Sequence, residues 1–129
     1  MKVKRIQFSS NPRHKDNALL QITFKLALDI ITYCDSLDQL NKFNLSRQLF
    51  RAGTSVGANS REAQNAESRA DFIHKLKIAL KEAEETEYWL FLCKETVGGN
   101  NIESLLTSIN ETIKLLNSIV GSAKNNNNR

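Results

Sequence analysis

One proline, five glycines and one tryptophan in 129 residues leave this chain few places to turn and few large rings to bury. That scarcity excludes sandwiches and barrels, which need turn signals roughly every 8–12 residues. Apolar runs are short too. No stretch approaches the roughly 20 consecutive apolar residues of a membrane helix, and the opening MKVKRIQF lacks the apolar centre of a signal peptide. A cytoplasmic protein without a membrane partner is the expectation. Only two histidines occur, His14 and His74, so a histidine triad or relay has too few members. The two cysteines, Cys34 and Cys93, each fall on an apolar helical stripe and are not flanked by charges in a pattern that lowers a thiol pKa, which predicts free, inert thiols and no disulfide.

What is present favours helices. Leu, Ala, Lys, Glu and Ile dominate, and 40% hydrophobic content suffices for one core in one domain. Residues 1–15 carry five Lys or Arg and no acid, without helical periodicity, and read as a basic N-terminal arm. The first helix is expected over 16–37, with two apolar rows, Leu20, Phe24, Ala27, Ile31, Cys34 and Leu19, Thr23, Leu26, Ile30, Leu37. A second, over 45–63 and capped by Asn44 or Ser46, aligns Leu45, Leu49, Ala52, Val56, Asn59 and Ala63. The third, over 69–97, keeps four-three spacing in Phe72, Leu76, Ala79, Ala83, Thr86, Leu90, Cys93 and Val97. Ser68 and Asp71 would open it as a capping box, and Gly98 and Gly99 would end it. A fourth, over 102–123 and capped by Asn101, carries Ile102, Leu105, Ile109, Ile113, Leu116, Val120 and Ala123. The Asn-rich end, 124–129, reads as disordered. Residues 16–123 therefore predict an all-α, antiparallel up-down-up-down four-helix bundle. The stretch EAQNAES lacks Gly and Pro, but a continuous rod over 45–97 would leave its stripes uncovered.

The middle of the second helix is unusually small: Ala52, Gly53, Ser55, Gly57 and Ala58. Each glycine weakens a helix by roughly 1 kcal/mol relative to alanine, so two of them imply the close approach of another helix. The third helix of the same chain and a neighbouring subunit are equally compatible with that pattern.

Chemistry is sparse. Asp71 and His74 have the spacing of half a di-iron motif, but it occurs once and lies on a polar first turn, which predicts no metal. Glu82, Glu84, Glu85 and Glu87 form an acidic cluster. Glu82 and Glu85 share a row with Ile78, Trp89 and Leu92 and so approach the interior or an interface, where carboxylates need partners. Arg51, Ser55, Asn59 and Glu62 on the second helix supply them, giving a structural polar network with Glu82, Glu85 and Trp89. No nucleophile and base can be paired, so no catalytic residue, cofactor or small-molecule substrate is expected. Charge is polarised: net +5 over 42–81 and −6 over 82–111.

The stretch RAGTSVGANSREAQNAESRADFIHKLKIALKEAEETEYWL resembles the 23S rRNA intervening-sequence protein family. The matching residues are Arg51, Ser55, Val56, Asn59 and Glu62, then Ser68, Asp71 and Phe72, then Ile78, Ala79, Lys81, Glu82, Glu85, Tyr88, Trp89 and Leu90. Ala63 stands where many members have glycine. The resemblance implies a bacterial four-helix bundle that assembles as a homopentamer and has no enzymatic activity. It also implies kinship with the accessory variability proteins of diversity-generating retroelements, basic pentamers that bind a reverse transcriptase and its RNA. Two binding readings follow. In the first, an oligomer presents Arg47, Arg61, Arg69, Lys75, Lys77 and Lys81 to RNA or a ribonucleoprotein. In the second, it is a protein-protein adaptor in which the acidic end of one subunit meets the basic middle of another.

Overall fold

The computed structural model describes residues 6–127. Four α-helices follow a 3₁₀ turn at Pro12–His14: α1 (Ala18–Gln39), α2 (Phe43–Ala63), α3 (Arg69–Thr96) and α4 (Ile102–Asn127). No strand occurs among the described residues. The connections span 40–42, 64–68 and 97–101, too short for anything but antiparallel neighbours. Each helix packs on the next in sequence, and α4 returns to α1 across the sparsest of the four seams. The expected all-α four-helix bundle is the observed fold.

Local chemistry explains the boundaries. Asn17 caps α1 by accepting the Leu20 N–H at 3.1 Å. Asn41, in the left-handed region at φ 60°, turns the chain into α2. Neither Asn44 nor Ser46 caps that helix, because it starts two residues earlier than the apolar stripe suggested: Lys42 precedes it without a side-chain cap. Asn44 instead accepts from Arg47 at 2.7 Å. Ser46 is buried and bonded across to α1, its hydroxyl donating to the Cys34 carbonyl at 3.3 Å. Ser68 does cap α3, accepting the Asp71 N–H at 3.0 Å, but the Asp71 carboxylate reaches back to the Glu67 N–H at 3.2 Å, one residue beyond the box. Gly98 and Gly99, at φ 70° and 112°, end α3, and the Gly98 N–H closes on the Cys93 carbonyl at 2.8 Å.

The core is built from the expected stripes. Leu26, Ile30, Leu37, Leu49, Val56, Leu76, Leu90, Ile109 and Leu116 are wholly buried. Three threonines share this interior and satisfy their hydroxyls on the preceding turn: Thr23 on Leu19, Thr86 on Glu82 and Thr112 on Ser108, at 2.7–2.8 Å. In α4 the register favours Thr112, leaving Ile113 half-buried. The two rows of α1 divide: Leu19, Thr23, Leu26, Ile30 and Leu37 are buried, whereas Phe24 and Ala27 are half-buried and Ile31 is 37% exposed.

Two expectations need correction. The two glycines of the small α2 patch lie against α1, which the sequence had not suggested: a Cβ on Gly53 would meet Ile30 Cγ2 at 2.8 Å, and one on Gly57 would meet Thr23 at 3.4 Å, while Ser55 is half-buried and Ala58 exposed. The end of the chain is not disordered from residue 124, since α4 continues to Asn127; positions 128 and 129 lie outside the described residues. The second half of the expected arm is fixed to the bundle, as described below, while Lys2, Lys4 and Arg5 lie outside the described residues.

Candidate functional site

Two polar clusters stand out, one joining α2 to α3 and one joining α2 to the N-terminal segment. The first cluster bridges α2 and α3. Arg51, projecting from α2, donates to Glu82 Oε2 at 3.3 Å and to Glu85 Oε2, and the Trp89 indole N–H donates to the same Glu85 oxygen at 3.0 Å. Glu82, Glu85 and Trp89 come together because they lie three and four residues apart on one helix face. Along α2 the Ser55 hydroxyl donates to the Arg51 carbonyl and Asn59 Nδ2 donates to the Ser55 carbonyl at 2.9 Å, which orients the row. Glu62 lies further along on the exposed side and makes no side-chain hydrogen bond to the cluster. The arginine side chain is 50% exposed and the carboxylates 22% and 38%, so solvent screens the pairs and each contributes about 0–1 kcal/mol. Arg51→Ala strands two carboxylates one turn apart. We expect a loss of about 1 kcal/mol in urea unfolding, partly restored by Glu82→Gln in the double variant.

The second cluster was not found from the sequence. His14 is only 6% exposed, held between the Ser9 hydroxyl at 2.8 Å from Nδ1 and the Asn11 amide at 3.4 Å from Nε2. Arg61, reaching from α2, donates to the Phe8 carbonyl at 2.9 Å and to Ser9 Oγ at 3.3 Å. The Phe8 ring tilts against Phe24 of α1 with centroids 6.1 Å apart. Helical periodicity cannot report such contacts, because an irregular segment makes them. The usable signals were an aromatic in a polar arm and the Asn11-Pro12 start of a turn.

The six basic residues nominated for RNA fall into different settings. Arg61 is engaged by the arm, and Arg47 contacts Asn44. Lys75 pairs with Asp71 at 2.9 Å, a hydrogen bond that lowers the carboxyl below its usual range, with the Glu67 N–H assisting, and raises the ammonium. Arg69, Lys77 and Lys81 have no carboxylate within ion-pair distance among the described residues. Lys77 sits beside Lys124 of α4, and that adjacent ammonium holds its proton affinity below the ordinary lysine range. An Asn-rich end read as disordered from residue 124 conceals this juxtaposition in the sequence.

No three His, Cys, Asp or Glu side chains among the described residues are placed to hold a metal. No helix among them is long and apolar enough to cross a membrane. Cys34 and Cys93 are free and buried, and burial raises both thiols, Cys34 to about 11.

Nothing among curated proteins matches the sequence. The chain is 45% identical to a protein with unknown function from the S23 ribosomal protein family of Bacteroides thetaiotaomicron VPI-5482, solved by crystallography at 1.70 Å resolution. The similarity covers 80% of this chain and 98% of that one, with a TM-score of 0.77. Residues 15–118 match the family model of the 23S rRNA-intervening sequence protein. Sequence, helix order and backbone agree: this chain belongs to the 23S rRNA-intervening sequence protein family.

Proposed function

We propose that this protein is a non-catalytic oligomeric module that binds RNA or a ribonucleoprotein through the basic α3–α4 face. Four exposed cations without a carboxylate within ion-pair distance among the described residues carry the reading: Arg69, Lys77 and Lys81 of α3 and Lys124 of α4, whose ammonium lowers the proton affinity of Lys77. Two ammonium groups held together without a carboxylate repel one another, and a phosphate between them relieves that repulsion. Lys81 continues the face one turn along α3, and Arg69 lies two turns before Lys77.

Neutralising phosphates releases counterions, so affinity for a structured RNA should fall with salt at a log-log slope on the order of −3 for these four cations. In a fluorescence anisotropy titration, Lys77→Ala with Lys124→Ala should weaken binding about tenfold or more and flatten the slope by about two. Absence of binding at low salt defeats the proposal.

Assembly belongs to the same reading. Phe43, Phe50, Tyr88 and Phe91 are 46–60% exposed, an apolar surface suited to contact with other copies. Light scattering should return five times the 14.6 kDa chain mass, and a monomer would remove the oligomer.

A second reading, a protein-protein adaptor, is favoured by one observation. Tyr88 and Phe91 stand on the acidic stretch of α3, beside Glu84, Glu87 and Glu95, which suits a basic apolar partner. Partner capture that survives nuclease, with no RNA affinity, selects this reading.

A further inference from the structure

Arm, α1 and α2 do not close on one another. Between them lies a half-open hollow of about 320 Å³. Its walls are Phe8, Leu20, Phe24, Ala27, Gly57 and Ala58, with Arg61 and His14 on the arm side. Interiors pack densely, and a void of this size has room for roughly ten waters. Water has little to hold it there. Thr23 and Thr54, which also line the hollow, spend their hydroxyls on the carbonyls of Leu19 and Phe50, and both ring nitrogens of His14 are engaged by Ser9 and Asn11.

The volume falls at the lower end of small-molecule sites, about 300–1,000 Å³, which are apolar with a few fixed polar groups. Arg61 is that group. It is the only residue of permanent charge in the lining, its protein partners are a carbonyl and a hydroxyl, and no carboxylate pairs with it among the described residues. A guanidinium has five N–H donors, and these contacts use two. Its geometry matches a carboxylate.

We propose that this hollow binds a small organic monocarboxylate, its apolar body between Phe8, Phe24 and Leu20 and its carboxylate on Arg61, with the arm as the lid. The site is separate from the basic α3–α4 face, so either can fail without the other.

The test is a titration of the isotopically labelled full chain with phenylbutyrate, octanoate and neutral phenylbutanol, followed through backbone amides by NMR. Saturable shifts centred on Phe8, Gly57 and Ala58 are expected with the acids. Arg61→Gln, which also removes contacts to the Phe8 carbonyl and Ser9 in the lid, should cost the acids about tenfold more in affinity than it costs phenylbutanol. Ala58→Phe, at an exposed rim position, should plug the hollow and abolish binding without altering thermal stability. Preference for phenylbutyrate supports an aryl acid as the natural occupant, and preference for octanoate supports a fatty acid. Absence of shifts at millimolar acid, shifts centred on Lys77 and Lys124, or binding undiminished by Ala58→Phe each overturns the proposal.

Discussion

Gly53→Leu should destabilise the bundle by about 3 kcal/mol or more, a large part of the roughly 5–15 kcal/mol that holds a typical domain folded. A Cβ at this position falls 2.8 Å from Ile30 Cγ2, 3.0 Å from Cγ1 and 3.3 Å from Cβ. Ile30 has no accessible surface, and its branched Cβ leaves little freedom at χ1, so α1 and α2 must separate. Even Gly53→Ala should lose, since the overpacking of about 1–3 kcal/mol outweighs the propensity gain of about 1 kcal/mol. Gly121→Ala is the control: nothing lies within 4 Å of its added Cβ, so only the propensity gain remains. Urea unfolding of the three variants checks the order, and equal stabilities for Gly53→Leu and the parent would refute the packing argument.

Alkali should unfold this protein before it unfolds an ordinary helical bundle. Tyr33 of α1 is 5% exposed and donates its hydroxyl to the Gly98 carbonyl at 2.7 Å, tying α1 to the end of α3. Burial, then the neighbouring thiols Cys93 and Cys34, push this phenol from 10.0 up to about 12. Burial likewise pushes Cys34 from 9.0 to about 11 and raises Cys93. A raised pKa means that the native state holds the proton more tightly than the unfolded chain does. The stability is therefore complete below pH 9 and is lost as pH climbs from about 9 through 12. Two pKa units correspond to about 2.7 kcal/mol for one group. Because the three groups face each other, the first charge resists the next, so the Tyr33 and Cys34 shifts add and the total loss is on the order of 5 kcal/mol. Urea midpoints across this window measure it, and a flat profile contradicts the assignment. At neutral pH both thiols should react with a disulfide reagent only after denaturation.

The four helices were legible because their stripes are long and regular: α3 keeps its spacing from Phe72 to Val97 without a break. Rotation was harder. Ala52 and Gly53 differ by 100° around α2, so the small patch announced a close neighbour without naming it, and that neighbour proved to be α1. The end of α4 was misjudged for a different reason. Asparagine is a weak helix former, yet extending an existing helix fixes one residue per new hydrogen bond, and the packed turns before Asn125 carry it onward. The contacts of Arg51 with Glu82 and Glu85, and of Glu85 with Trp89, follow the three- and four-residue spacing, whereas Ser55 and Asn59 bond only carbonyls of their own helix and Glu62 stays outside the cluster. Arg61 was not legible: its partners, the Phe8 carbonyl and Ser9, lie more than 50 positions away in an aperiodic arm.

The seam between α1 and α4 is the only one that joins the two ends of the chain, and it is also the sparsest. Nearly all packing thus arises between segments that are neighbours along the polypeptide, so little loop-closure entropy precedes it. Such local topology places folding on the microsecond to millisecond scale. The densely packed α2–α3 hairpin is suited to form first, and ring closure by α1 and α4 to come last.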